Sequence, residues 1–169
     1  MLDKNDLIEL AYLRLGKSIG TYGNNDDEDH YKATRALDEI IANVAVESEF
    51  RFNAVTTTLN KNSDSTGVLG DNRFNLPNDF LNVIRCEQDY RIEGEYVYST
   101  DSEVIMMYCR KIDISELPLY MKKYLIASLC CELSIIFGQY MDKYGIFKRE
   151  IGTEKTRIIN MQGLVVKEW

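Results

Sequence analysis

Phe50-Arg51-Phe52-Asn53-Ala54-Val55-Thr56-Thr57-Thr58-Leu59 is the stretch where the chain changes its period. Upstream, Ala33, Leu37, Ile40, Ile41 and Val44 recur at helical spacing, with Lys32, Arg35, Asp38 and Glu39 on the opposite side. That pattern predicts an amphipathic helix from about Asp29 to Ser48. From Ala54 the residues are β-branched and alternate, with Val55, Thr57 and Leu59 on one face, which reads as a strand to Leu59. A chain that passes from helix to strand here belongs to the mixed classes, and the remaining segments decide which one.

Downstream, Asn60 to Asp71 is rich in Asn, Ser, Asp and Gly and reads as a long loop or an extended hairpin tip. Short strands follow at Arg73–Leu76, Asn82–Glu87, Tyr90–Ile92, Tyr96–Ser99 and Val104–Arg110. Glu93-Gly94 and Thr100-Asp101-Ser102 supply the tight turns. Both faces of Val104–Arg110 are apolar, which predicts a central strand covered on both sides. After Pro118 the pattern is helical again, from Leu119 to about Gly138, and apolar nearly all round. Tyr120, Tyr124, Ala127, Cys131 and Ile135 form one stripe there. Another helix reads from Met141 to Met161, with Ile151 and Ile158 inward, followed by a tail from Gln162 to Trp169. Upstream, a first helix runs from Asp3 to Leu15 between an Asp N-cap and Gly16. The expected class is α+β: an N-terminal helix pair, antiparallel sheet and hairpins in the middle, and long C-terminal helices forming a bundle.

Length and composition set limits on function. A chain of 169 residues, 45% hydrophobic and 28% charged, is expected to fold as one domain with an ordinary core. No apolar window reaches the length of a membrane span, and Asp3, Asp6 and Glu9 interrupt any apolar core of a secretory leader. A soluble protein made in the cytosol is the expectation. The net charge of −7 opposes a grip on phosphate, though it suits a surface past which DNA must slide. Tyr is over-used, eleven against six Phe and one Trp, a composition that fits surfaces buried on assembly as well as ordinary core and rim packing.

The residues that carry chemistry are sparse. His30 is the only histidine and sits in the polar entry to the second helix, where a solvated side chain rather than a triad base is expected; a zinc site lacks clustered Cys or His ligands, and neither metal nor cofactor is expected. Cys86, Cys109, Cys130 and Cys131 have no CxxC spacing, and the adjacent pair in an apolar helical run is expected to be buried and reduced. The acidic run Asp26-Asp27-Glu28-Asp29 lacks the glycine and distal glutamate of a calcium loop, and the dipole of the following helix accounts for it. Glu132 lies in the apolar helix, where two readings stand: an acid of raised pKa, or the partner of a basic residue from a neighbouring helix or subunit.

The order of these elements resembles the tail tubular protein A family, the adaptor ring of short-tailed bacteriophages. The resemblance spans roughly Leu7 to Ile159. It is carried by Glu47-Ser48-Glu49-Phe50-Arg51-Phe52-Asn53 and by Phe74-Asn75-Leu76-Pro77-Asn78-Asp79-Phe80-Leu81-Asn82-Val83-Ile84. The family shows a W-F-N junction and an L-P-x-D-F-L-R-V segment, so Phe52, Asn53, Leu76, Pro77, Asp79, Phe80 and Leu81 are the implied structural residues. Phe50 stands where the family often has Trp, and the polar insert from Asn60 to Asp71 is a departure. The resemblance implies a non-enzymatic structural protein of the virion neck, assembled in the bacterial cytoplasm. It implies a homo-oligomeric ring, in the family a dodecamer, between portal protein and tail nozzle protein, through which DNA is sealed in and later ejected without sequence-specific binding. Two rival functions remain open on the residues alone: a virion-associated peptidoglycan hydrolase using paired carboxylates, and a monomeric module that binds a host protein.

The tail adds one candidate. Leu164, Val165, Val166 and Trp169 follow the last amphipathic helix, and apolar anchors on a chain end suit docking onto a portal subunit or a neighbouring ring subunit. The alternative is an edge strand on the chain's own sheet.

Overall fold

The computed structural model of the chain describes residues 2–17, 26–47, 49–66 and 71–165. The class is α+β. The chain forms two compact units: a helical one from residues up to Val44 and from Ile112 onward, and a β unit from Ala45 to Lys111.

In the helical unit, α1 spans Lys4–Leu15. Asp3 caps it by accepting from the Asn5 and Asp6 amides at 2.8 and 3.3 Å, and Gly16 ends it at φ 77° with its N–H on the Leu13 carbonyl. Leu7, Ile8, Ala11 and Leu15 are buried along one side. The second helix, α2, spans Asp26–Val46, three residues earlier at its start than the periodicity suggests and two shorter at its end. The acidic run therefore lies in the first turn of the helix rather than in a preceding loop.

After a 3-10 turn at Leu119–Met121, α3 spans Lys122–Phe137 and buries every residue from Tyr124 to Cys131. It packs against α1 and against α4, which spans Met141–Val165. The expected all-round burial of α3 fails at its last turn. Ile135 is 52% exposed and Ile136 43%, because the sides covered by α1 and α4 are not the side that carries them. A bidentate Arg14–Glu150 pair at 3.0 and 2.6 Å ties α1 to α4, with the guanidinium over the Phe147 ring. Ile158 is fully buried as expected, and Ile151 half-buried. Gly163 does not end α4; the helix runs four residues past Met161, so Leu164 and Val165 belong to it. Among the described residues no helix is long and apolar enough to cross a membrane.

The β unit holds two antiparallel sheets where one was expected. The first pairs β1 (Ala54–Thr58), β7 (Ile105–Arg110) and β4 (Phe80–Cys86), with β7 in the centre. The second runs β2 (Lys61–Thr66), β3 (Asn72–Asn75), β6 (Tyr96–Ser99), β5 (Arg91–Glu93) in spatial order. Of the two readings of the polar stretch, long loop or extended hairpin, the hairpin holds: it contains a strand, β2, paired antiparallel with β3. The sheets separate at Leu76-Pro77. Pro77 has no N–H for a ladder, Leu76 makes its last bond to the Glu95 carbonyl, and the Phe80 amide closes a turn on the Pro77 carbonyl at 3.0 Å. The chain therefore leaves one sheet after β3 and enters the other at β4. Leu59, Phe74, Val97, Val104, Met106 and Tyr108 form the core, with Val55, Leu76, Phe80 and Val83 packed against it. Central β7 is covered less completely than expected, since Ile105 is 43% exposed and Met107 half-buried on the face away from Met106 and Tyr108.

Candidate functional site

Asn53 is where the β unit is tied together. It lies at the end of a 3-10 turn, Arg51–Asn53, and is 1% exposed. Its Nδ2 donates to the Ala45 carbonyl at 2.7 Å and to the Arg110 carbonyl at 2.9 Å. One amide thus holds Ala45, where the β unit begins, to the end of β7. Two carbonyl acceptors fix which way the amide faces, because only the nitrogen can donate. Its Oδ1 is buried without a hydrogen-bond partner among the described residues. Phe50 beside it is fully buried and meets the half-buried Phe52 ring at 6.4 Å.

The second motif segment forms the corner between the sheets. Asp79 accepts from the Tyr108 hydroxyl at 3.0 Å through Oδ1, and its carbonyl accepts from the Lys111 amide at 2.6 Å. Phe80 meets the Tyr108 ring at 5.8 Å. Burial first, and the Asp79 hydrogen bond second, push the Tyr108 phenol above its usual range. Leu76, Pro77 and Leu81 are half-buried at the same corner. These residues fix a backbone path.

The remaining candidates are dispersed. His30 is exposed on α2. Glu132 is exposed rather than buried, on the C-terminal part of α3 where Ile135 and Ile136 are exposed too, and it has no ion-pair partner among the described residues. Among the described residues no group of three or more His, Cys, Asp or Glu could hold a metal ion. All four cysteines are free; Cys109, Cys130 and Cys131 are buried and Cys86 half-buried. Cys130 Sγ lies 3.6 Å from the Ala11 carbonyl, and burial pushes its thiol up to about 12.

That setting gives a prediction. In native protein at pH 8 a maleimide labels Cys86 first, while Cys109, Cys130 and Cys131 react only on unfolding. The neutral thiol of Cys130 is favoured by the fold, so its contribution is complete below about pH 9 and is lost as pH rises toward 12. Labelling of Cys130 and Cys131 at the Cys86 rate would contradict the packing of α3.

The surface feature that sequence reading missed lies in the helical unit. Between α2 and α3 is a concavity of about 540 Å³, floored by Ala36, Ile40 and Ile136 and rimmed by Tyr31, Arg35, Glu39 and Glu132. Ile135, Met141 and Ile146 are also more than half exposed on this unit. One signal for it existed: adjacent isoleucines on a helix point about 100° apart, so Ile135 and Ile136 cannot both face one neighbour. Of the tail residues, Leu164 and Val165 extend α4, and Val166 and Trp169 lie outside the described residues.

No protein-family model matches the chain, and no curated protein matches it in sequence.

Proposed function

We propose that the chain is a structural protein of a bacteriophage virion, a ring-forming head-to-tail adaptor that links the portal to the tail nozzle and forms part of the DNA channel. The observation that carries the reading is the convergence at Asn53. The segment on which the family resemblance rests is the one that holds the start of the β unit, at Ala45, to its central strand, through bonds of 2.7 and 2.9 Å. The other resembling segment, Leu76 to Leu81, makes the corner that divides the two sheets. Both segments act on architecture, which suits a mechanical role rather than catalysis.

Exposed Ile135, Ile136, Met141 and Ile146 add a second support, since aliphatic side chains in such number suit a surface covered on assembly. The partners in this reading are further copies of the chain, twelve by the family resemblance, together with portal and nozzle proteins. DNA passes an acidic chain of net charge −7 without being gripped. The chain would assemble in the bacterial cytoplasm and reside in the virion neck. The test is co-expression with the portal protein of its own phage: the reading expects the two to co-purify as a complex with several copies of this chain per portal. A chain that elutes alone as a monomer in the presence of assembled portal removes the reading.

A further inference from the structure

We infer that the concavity between α2 and α3 is the seat for α4 of the next copy of the chain; the inference rests on the ring reading and names the contact that would build the ring. The two surfaces differ from each other, so the contact is head-to-tail, the kind that propagates around a closed ring.

Charge and shape argue for α4 as the occupant. In the concavity, Arg35 and Glu39 stand one turn apart on α2, and Glu132 faces the same space from α3. None of the three has an ion-pair partner among the described residues; Lys32, which also lines the space, is taken by Glu28 at 2.7 Å. On α4, Asp142, Ile146 and Arg149 share one exposed side, and neither Asp142 nor Arg149 has an ion-pair partner among the described residues. Asp142 and Arg149 lie about 10 Å apart along the helix axis, with the 55%-exposed Ile146 between them. Laid into the concavity, Asp142 meets Arg35, Arg149 meets Glu39 and Glu132, and Ile146 reaches Ile136 and Ile40 on the floor. Opposite signs alternate along both surfaces, which fixes direction as well as partner.

The same side of α4 is thin. Gly145 sits beside Ile146 in the helix interior, and a Cβ there would meet nothing within 4 Å. The chain's own packing therefore gives no reason for a residue that weakens a helix. A second helix approaching closely gives one.

The experiment uses the full chain assembled on portal, read by native mass spectrometry. Glu39→Lys with Glu132→Lys, and separately Arg149→Glu, should each lower ring yield by about tenfold or more. All three changes in one chain restore opposite charges at every contact, and so does an equimolar mixture of the two variants, alternating around an even-numbered ring. Either should return the yield to near wild type. Gly145→Ala should raise the melting temperature of the protomer and lower ring yield, a pairing of signs that misfolding cannot produce. Charge reversals that assemble as wild type, or a triple variant that is folded yet does not recover, overturn the seat while leaving the ring reading intact. Reversals that abolish portal binding but leave rings intact assign the concavity to the portal and overturn it too. A wild-type chain that never forms rings removes the ring reading and this contact together.

Discussion

Asn53→Asp should cost the protein more than any other single isosteric change, lowering its melting temperature by about 10 °C or more at neutral pH. The substitution keeps the shape and removes both donors. The Ala45 and Arg110 carbonyls, now at 2.7 and 2.9 Å from Nδ2, lose this donor, and a carboxylate oxygen is set against them at a residue only 1% exposed. Losing a donor to a buried or part-buried carbonyl costs about 1–3 kcal/mol each, and the ion adds its own desolvation. The sign of the pH dependence follows. Burial raises the new carboxyl above its unfolded value of about 4, so the protonated form is the one the fold tolerates. The variant is therefore least impaired below that pH and loses stability relative to the parent as pH rises above it. Asn53→Ala removes the donors without adding charge and should cost less, about 2 kcal/mol. A thermal melt of the charged variant within a few degrees of the parent would show that Asn53 is not what ties the start of the β unit to its central strand.

Removing residues 164–169 should abolish incorporation into portal-bearing particles while leaving the melting temperature nearly unchanged. Helix ends contribute little to stability unless tied down, and the truncation takes only the last two residues of the 25-residue α4 together with residues 166–169. The loss falls on Leu164, Val165, Val166 and Trp169, the candidate docking anchors. Because Leu164 and Val165 continue α4, the docking element in this account begins as a helical end rather than a separate tail. Thermal melting and particle incorporation together separate it from the rival in which the segment folds onto its own chain. A fall of several degrees in melting temperature supports the rival, and a truncated protein that joins particles normally ends the docking proposal.

The parts of the fold that were legible in the sequence are those whose boundaries carry their own chemistry. Asp3 and Gly16 mark α1 because capping needs a side-chain acceptor at one end and a positive φ at the other. Tyr96–Ser99 was read to the residue, bounded by Gly94 at φ 60° and a polar turn. The start of α2 reads late because Asp26, Asp27 and Glu28 suit a loop equally well by composition. Nothing in Lys61-Asn-Ser-Asp-Ser-Thr66 announces a strand; β3 makes it one. The division into two sheets depends on which strand follows Pro77 into which ladder, a long-range choice that local pattern does not encode. Glu132 was misplaced for a related reason: an apolar helix shows how many sides are buried, but not which side its neighbours leave open.

The site was legible in outline only. Asn53 and the Leu76–Leu81 corner entered through resemblance, and the hydrogen bonds that explain them join residues as far apart in sequence as Asn53 and Arg110. The concavity between α2 and α3 is built by residues about 100 positions apart and has no sequence signature beyond the paired isoleucines.

The most direct measurement is cryo-electron microscopy of the chain co-purified with the portal protein of its phage. The expected result is a closed ring of this chain, of twelve copies by resemblance, coaxial with the portal and with an open channel along the axis. A monomer bound at one side of the portal, or portal rings carrying no copy of the chain, would contradict it.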